Sequence, residues 1–321
     1  MTPAAFSRED EALLSLLRRL EADGYDFVTP TPLSHSRVLK RPEKQVARDL
    51  RDVLGWSCPF TADLLDRELF GLLVGAGALS CEGELWKSAL RVSRLHGLLF
   101  LHSAYPTDDE DSVFLGPDSY RFADFISAQV GTRKWLGQVV DVGGGAGVGA
   151  LTAAQGRTVR ELILTDVNPK ALRLARINAA HAGQPLIAVE AADLEGAPEG
   201  ADLILANPPY IVDEKSRDYR HGGGMHGAQV SLDWARQAVG KLAPGGRFLL
   251  YTGSAILDGG RDELREALRA LAAEAGCALA YRELDPDVFG EELENPAYTD
   301  AERIAVVGAA ITKSRAQRPQ S

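Results

Sequence analysis

The stretch Val139-Val140-Asp141-Val142-Gly143-Gly144-Gly145-Ala146-Gly147-Val148-Gly149-Ala150 constrains the fold more than any other part of the sequence. An apolar run of strand length empties into glycines and then into a helix-forming segment, the strand–turn–helix opening of an α/β sheet. Glycine is needed there because a ligand must approach the backbone closely and the turn takes unusual φ angles. Gly145-x-Gly147-x-x-Ala150 satisfies the relaxed dinucleotide fingerprint, so a nicotinamide or flavin protein is one reading. Asp141 pulls the other way, since a carboxylate two residues before Gly143 is awkward beside a pyrophosphate and suits a cationic ligand. The loop alone leaves both readings open.

The chain around it supports an α/β sheet. Strands are expected at Gln138–Val142, Glu161–Thr165, Leu186–Glu190, Leu203–Ala206 and Arg247–Tyr251. Helices are expected at Asp118–Gln129, Val148–Gln155, Pro169–Ala182, Ala228–Leu242 and Gly260–Ala275. Such alternation predicts a parallel sheet covered on both faces. Cys277–Leu284 and Arg303–Ile311 have no helix between them and are expected to pair antiparallel.

The first third reads as helical. Ser7 and Asp10 form a capping box ahead of Leu13, Leu14, Leu17 and Leu20 at helical spacing. Pro30, Pro32 and Pro42 confine what lies between them to loop or short turns. Gln45–Leu54 and Thr61–Val74 are read as helices, the latter capped by Thr61, and Trp86–Phe100 as one or two strands. Helices followed by a small hairpin suggest a winged-helix module, either a substrate reader or a structural cap. Acidic Pro106–Asp111 marks the expected boundary. The expected division is a helical domain over 1–110, the α/β domain over 111–312 and a disordered basic tail over 313–321.

Composition narrows the class. The chain has 321 residues, 45% hydrophobic and 25% charged, with a formal charge of −10. These are globular values, and an acidic balance argues against a general grip on nucleic acid. One basic stretch runs through Arg37, Lys40, Arg41, Lys44, Arg48 and Arg51, read as a solvated helix face before a phosphate contact. Cys58, Cys81 and Cys277 are scattered, with neither disulfide nor zinc spacing, and are read as small core residues. With no apolar run of membrane length and no basic-then-apolar leader in Met1–Asp10, a cytoplasmic protein that binds no membrane is expected.

Three acids and one tetrapeptide carry the chemistry. Asp166 follows the second strand of the α/β region, where a carboxylate can accept from both ribose hydroxyls of an adenosine. Asn168, ahead of Pro169, is the better helix cap and leaves Asp166 free for that role. Asp193 follows the third strand, placed to meet an adenine amino group. Asn207-Pro208-Pro209-Tyr210 then ends the apolar strand Leu203–Ala206. Two prolines make a stiff loop that leaves the Pro208 carbonyl as an acceptor beside the Asn207 side-chain oxygen. Two adjacent acceptors match the two N–H bonds of a planar –NH2 group, and Tyr210 offers an apolar face for stacking.

In these residues the chain resembles class I S-adenosylmethionine-dependent methyltransferases, in the branch whose Asn-Pro-Pro-Tyr motif methylates planar nitrogens. The resemblance spans about Gly116 to Ile311 and rests on Asp141-x-Gly143-x-Gly145-x-Gly147, Asp166, Asp193 and Asn207-Pro208-Pro209-Tyr210 in order. It implies a Rossmann-like seven-stranded sheet with an antiparallel last strand, and S-adenosylmethionine as cofactor. It further implies that Asp141, Gly143, Gly144, Gly145 and Gly147 embrace the methionine part. Asp166 with Val167 would then meet the ribose, Asp193 with Leu194 the adenine, and Asn207 with Pro208 the acceptor nitrogen. The motif followed by Asp213 and Glu214 looks most like glutamine methyltransferases acting on peptide release factors. It differs from them in its long N-terminal region and in Gly116-Pro117-Asp118-Ser119-Tyr120-Arg121-Phe122, where a Pro-Arg-Pro-Glu-Thr pattern is expected.

The leading expectation is therefore N-methylation of a protein glutamine. The alternatives are N6-adenine or N2-guanine methylation of RNA or DNA, a small-molecule N-methyltransferase, and an NAD(P)-binding oxidoreductase. Lys215–Gly227 reads as either a flap over the acceptor site or an ordinary loop, and its His221 and His226 are not assigned to catalysis. Oligomeric state is left open.

Overall fold

The computed structural model describes residues 5–212 and 222–315. It contains α1 (Arg8–Ala22), α2 (Pro32–Leu39), α3 (Leu50–Leu54), α4 (Arg67–Gly75), β1 (Leu79–Glu82), β2 (Leu85–Ser88), β3 (Leu90–Leu95) and β4 (Leu98–Ser103). Then follow α5 (Pro117–Val130), β5 (Trp135–Val142), α6 (Val148–Ala154), β6 (Thr158–Asp166), α7 (Pro169–His181), β7 (Leu186–Glu190) and β8 (Ala201–Ala206). The chain closes with α8 (Gln229–Lys241), β9 (Leu242–Leu257), β10 (Arg261–Asp262), α9 (Glu263–Glu274), β11 (Cys277–Asp285) and β12 (Ala301–Lys313). Two units emerge: 1–123 with 145–151 and 168–187, and 124–144 with 152–167 and 188–321.

The large sheet runs β11-β12-β9-β8-β5-β6-β7, with the two-residue β10 folded back antiparallel on β9 as an eighth strand. β5 pairs parallel with β6 and β8, and β8 with β9. β12 lies antiparallel between β9 and β11, as expected for strands joined without a crossover helix. Rossmann-like α/β architecture with an antiparallel final strand is therefore present. In the second unit, Val140, Val142, Ile204, Ala206, Phe248 and Leu250 are fully buried in one core with Leu232 and Ala235 of α8 and Leu264 and Leu268 of α9. Strands with such continuous apolar runs have both faces covered.

In the first unit, α1 opens with the expected capping box: Ser7 Oγ accepts from Asp10 N–H and the Asp10 carboxylate from Ser7 N–H, both at 3.1 Å. Leu13, Leu14, Leu16, Leu17 and Leu20 bury its apolar stripe. Arg173 of α7 donates to Asp10 at 2.6 Å. Asn178, fully buried on α7, accepts from Leu101 N–H at 2.9 Å and donates to the carbonyls of Leu101 and Ala146 at 3.1 and 2.9 Å.

Several N-terminal expectations are corrected. The proline-flanked segment holds a helix, α2, because Thr31 caps it and Pro32 occupies its first turn, where a missing N–H costs nothing. The helix expected over Gln45–Leu54 shrinks to α3, since Asp49 caps the chain at Leu50. The basic run is thus not one solvated helix face: Lys44 pairs with Asp52, which is 1% exposed, and Arg51 lies over the Phe27 ring. α4 is capped by Asp66 rather than Thr61, which instead leads a single 3-10 turn. The strand region resolves into two hairpins, β1–β2 and β3–β4. The three cysteines are free thiols, and only Cys58 is buried. Among the described residues no helix is long and apolar enough to cross a membrane.

Asn178→Ala removes both faces of this bridge and leaves buried main-chain groups without partners. It is expected to cost about 2–4 kcal/mol of stability, read from urea unfolding midpoints.

Candidate active site

One row of backbone register places three chain exits side by side. Val142, the last residue of β5, is opposite Thr165 of β6 on one side and Ala206 of β8 on the other. Gly143, Asp166 and Asn207 consequently sit at the carboxyl ends of three adjacent strands, spaced by roughly 4.8 Å per strand. β5 has β6 on one side and β8 on the other, so chain order reverses here, and this is where open α/β sheets bind ligands.

The glycine turn is tight for identifiable reasons. Gly143 has φ +61°, and a Cβ there would stand 2.7 Å from the Trp234 ring of α8. At Gly144 a Cβ would meet Leu164 at 2.4 Å and the Asp141 carboxylate at 3.0 Å, while its N–H donates to the Thr165 carbonyl at 3.0 Å. Gly145 differs, with φ +54° and nothing within 4 Å of an added Cβ. Gly147 also takes positive φ, +86°. Asp141 is 1% exposed beneath the turn.

The remaining acids fall at strand ends. Asp166 is half-buried, and Val167 beside it is 48% exposed. Asn168 caps α7 through Lys170 N–H at 2.9 Å, as expected, so Asp166 is not the cap. The Asp193 carboxylate accepts from Glu195 N–H at 2.7 Å and from Gln237 Nε2 at 3.0 Å. Gln237, on α8, also accepts from Leu194 N–H at 3.1 Å. Sequence reasoning missed Gln237 and Trp234, which set Asp193, Leu194 and Gly143 from a helix some forty to ninety residues further along the chain.

The Asn-Pro-Pro-Tyr loop is braced from behind. Asn207 is half-exposed, Pro208 buried and Tyr210 9% exposed. The Tyr210 ring lies on β9 at Gly253, where a Cβ would come within 2.3 Å of it, and meets Phe289 edge-on at 5.9 Å. Beyond it, Val212 N–H donates to the hydroxyl of Tyr298, which is 1% exposed and itself donates to the His226 carbonyl at 3.2 Å. Asn295 donates to the Val212 carbonyl at 3.2 Å. Gly222 N–H donates to the Ile211 carbonyl at 2.8 Å, and a Cβ on Gly227 would stand 2.4 Å from the Tyr210 carbonyl oxygen. His226 Nε2 donates to Asp300 at 2.9 Å, which holds that carboxyl below its usual range. Of the expected flap, only its final residues, from Gly222, are described; Asp213, Glu214 and Lys215 through His221 lie outside the described residues.

Comparison with known proteins finds methyltransferases. Residues 129–256 match the family model of the methyltransferase small domain. A release factor glutamine methyltransferase of Deinococcus radiodurans is 34% identical over 165 residues, 48% of this chain and 55% of that protein. A ribosomal protein L11 methyltransferase of Symbiobacterium thermophilum is 29% identical over 195 residues, 57% of each. The crystal structure of M. jannaschii TYW2 with AdoMet superposes at a TM-score of 0.49 and 13% identity, covering 71% of this chain and 87% of that one. The chain spans about half the length of the release factor methyltransferases it matches. Residues 129–256 are thus similar to a methyltransferase domain, a class of domain whose methyl donor is S-adenosylmethionine. The residues fit it: Gly143 and Gly144 hold the turn tight at the end of β5, and the buried carboxylate of Asp141 beneath them suits a cationic group.

Gly253→Ala should push the Tyr210 ring off β9 and cost about 1–3 kcal/mol. Adding Tyr210→Ala should remove most of the clash, so a double-mutant cycle by urea unfolding should be clearly non-additive.

Proposed function

We propose that this chain is an S-adenosylmethionine-dependent N-methyltransferase acting on a planar –NH2 group, foremost a protein glutamine side chain. The observation that carries the reading is Asn207-Pro208-Pro209-Tyr210 at the end of β8, one strand from the glycine turn after β5. Glutamine is favoured by the relatives named as release factor glutamine methyltransferases, 30–35% identical over the matched region.

The bound cofactor supplies a methyl group already activated on a sulfonium. What remains for the chain is to place an acceptor nitrogen. Asn207 Oδ1 and the Pro208 carbonyl accept the two N–H bonds, which orients the nitrogen and raises its electron density as positive charge develops. The proton leaves after attack, so no dedicated base is needed beforehand. Pro208 and Pro209 restrict the loop, and Tyr210 anchors it to β9. Asp166, with Val167, holds the ribose, and Asp193, with Leu194, the adenine. Asp141 and the glycines Gly143, Gly144, Gly145 and Gly147 receive the methionine part.

Asn207→Ala should lower kcat by about a hundredfold or more and leave cofactor affinity nearly unchanged. Asp166→Ala should weaken cofactor binding by about tenfold or more, measured by isothermal titration. Equal loss of turnover and affinity in both variants would overturn this division of roles. The acceptor is found by incubating the protein with methyl-labelled S-adenosylmethionine and an extract of cells lacking it. Label that resists nuclease and is lost to protease supports glutamine methylation; label lost to nuclease makes the acceptor a nucleic-acid base.

A further inference from the structure

The first unit buries a positive charge that has no use in methyl transfer. Arg91 of β3 is 2% exposed and faces His102 across the β3–β4 register, so the two side chains leave the same face of the hairpin. Among the described residues its guanidinium makes one hydrogen bond, from Nε to the Ser103 carbonyl at 3.0 Å. The ionisable groups acting on it are the hydroxyls of Tyr120, Tyr25 and Tyr105, none of them a carboxylate, and burial pulls its pKa down to about 10. An enclosed guanidinium ordinarily has an anionic partner, because an unpaired buried charge is costly.

The Arg91 charge acts on the buried ring of His35, which is incompletely satisfied. His35 is fully buried and stacked on Tyr105 with ring centroids 4.1 Å apart. Its Nε2 is 2.9 Å from the Trp56 carbonyl, which can only accept, so the proton sits on Nε2. The other nitrogen, Nδ1, has no hydrogen-bond partner. Burial pushes the His35 pKa down to about 4, leaving a neutral ring with an open lone pair. Tyr105 and Trp56 are themselves partly exposed, so solvent lies one ring away from His35. His102, also fully buried, shares a hydrogen bond with Ser93 at 2.8 Å. A region that were only structural would be cheaper to fill with apolar side chains than with a half-satisfied polar cluster.

We propose that Arg91 and His35 mark a buried binding site in the first unit for an oxyanion, the phosphate or carboxylate group of a small ligand. The planar fork of an arginine matches two oxygens of such a group and neutralises the buried charge in the same contact. The His35 lone pair accepts from a hydroxyl on the ligand. The site is independent of the methyl-transfer reading.

Isothermal titration of the full chain with inorganic phosphate and, separately, with acetate at constant ionic strength tests this. Saturable binding of one anion per chain is expected, and the anion that binds identifies the phosphate or the carboxylate source. Arg91→Lys keeps the charge but loses the fork, and should weaken binding at least about tenfold. His35→Phe, whose ring has no lone pair to accept with, serves as the second variant should Arg91→Lys fail to fold, with weaker binding expected. Absence of saturable binding of either anion to the wild type overturns the proposal, as does unchanged affinity in whichever variant folds.

Discussion

The arrangement of the candidate site depends on two parallel pairings of β5. Because Val142 is opposite both Thr165 and Ala206, the exits of three strands share one edge, and the residue after each becomes its neighbour's neighbour. A slip of one residue in either pairing would exchange side chains between the two covered faces and take Val140, Val142, Ile204 and Ala206 out of the core they share with α8 and α9. The hydrophobic core therefore fixes where a glycine turn, an aspartate and an asparagine stand relative to each other. Those three residues need no bond among themselves to be held in a row.

Rigidity of the Asn-Pro-Pro-Tyr loop has a separate source. The prolines limit the backbone from within, while Tyr210 is seated on a glycine in β9 and Tyr298 holds both Val212 and His226. Tyr298 is nearly fully enclosed and spends its hydroxyl on backbone groups 86 and 72 residues before it in the sequence. An acceptor pair of this kind gains from such support, since a misplacement of about 1 Å is enough to cost much of an orientation effect.

Legibility in the sequence followed the range of the interaction. The strand–helix alternation from β5 onward was readable because each element carries its own period, and the cap at Asn168 because its partner, Lys170, is two residues away. The N-terminal helices depart from their local pattern where caps compete: Thr31 with Pro32 starts α2, and Asp49 delays α3. Gln237 and Tyr298 left no signal, since their partners Asp193 and Val212 lie 44 and 86 residues away. Gly253 lies beyond the strand expected to end at Tyr251, and nothing local to it marks the Tyr210 ring that packs there. The pairing of side chains across such separations is a property of the packed state, and no local pattern encodes it.

The first unit draws its parts from three stretches of chain, the last of them ending at residue 187. α1 meets Arg173 through Asp10, and β4 meets Asn178, so helices and hairpins made early in synthesis await α7. The consequence concerns birth rather than catalysis. As the chain leaves the ribosome at about 5–20 residues per second, the apolar stripe of α1 emerges many seconds before the partner that completes its surroundings. During that interval the nascent N-terminal region can close α1 only against elements made early, such as α4, and leaves open the part of its surface that α7 covers in the finished protein.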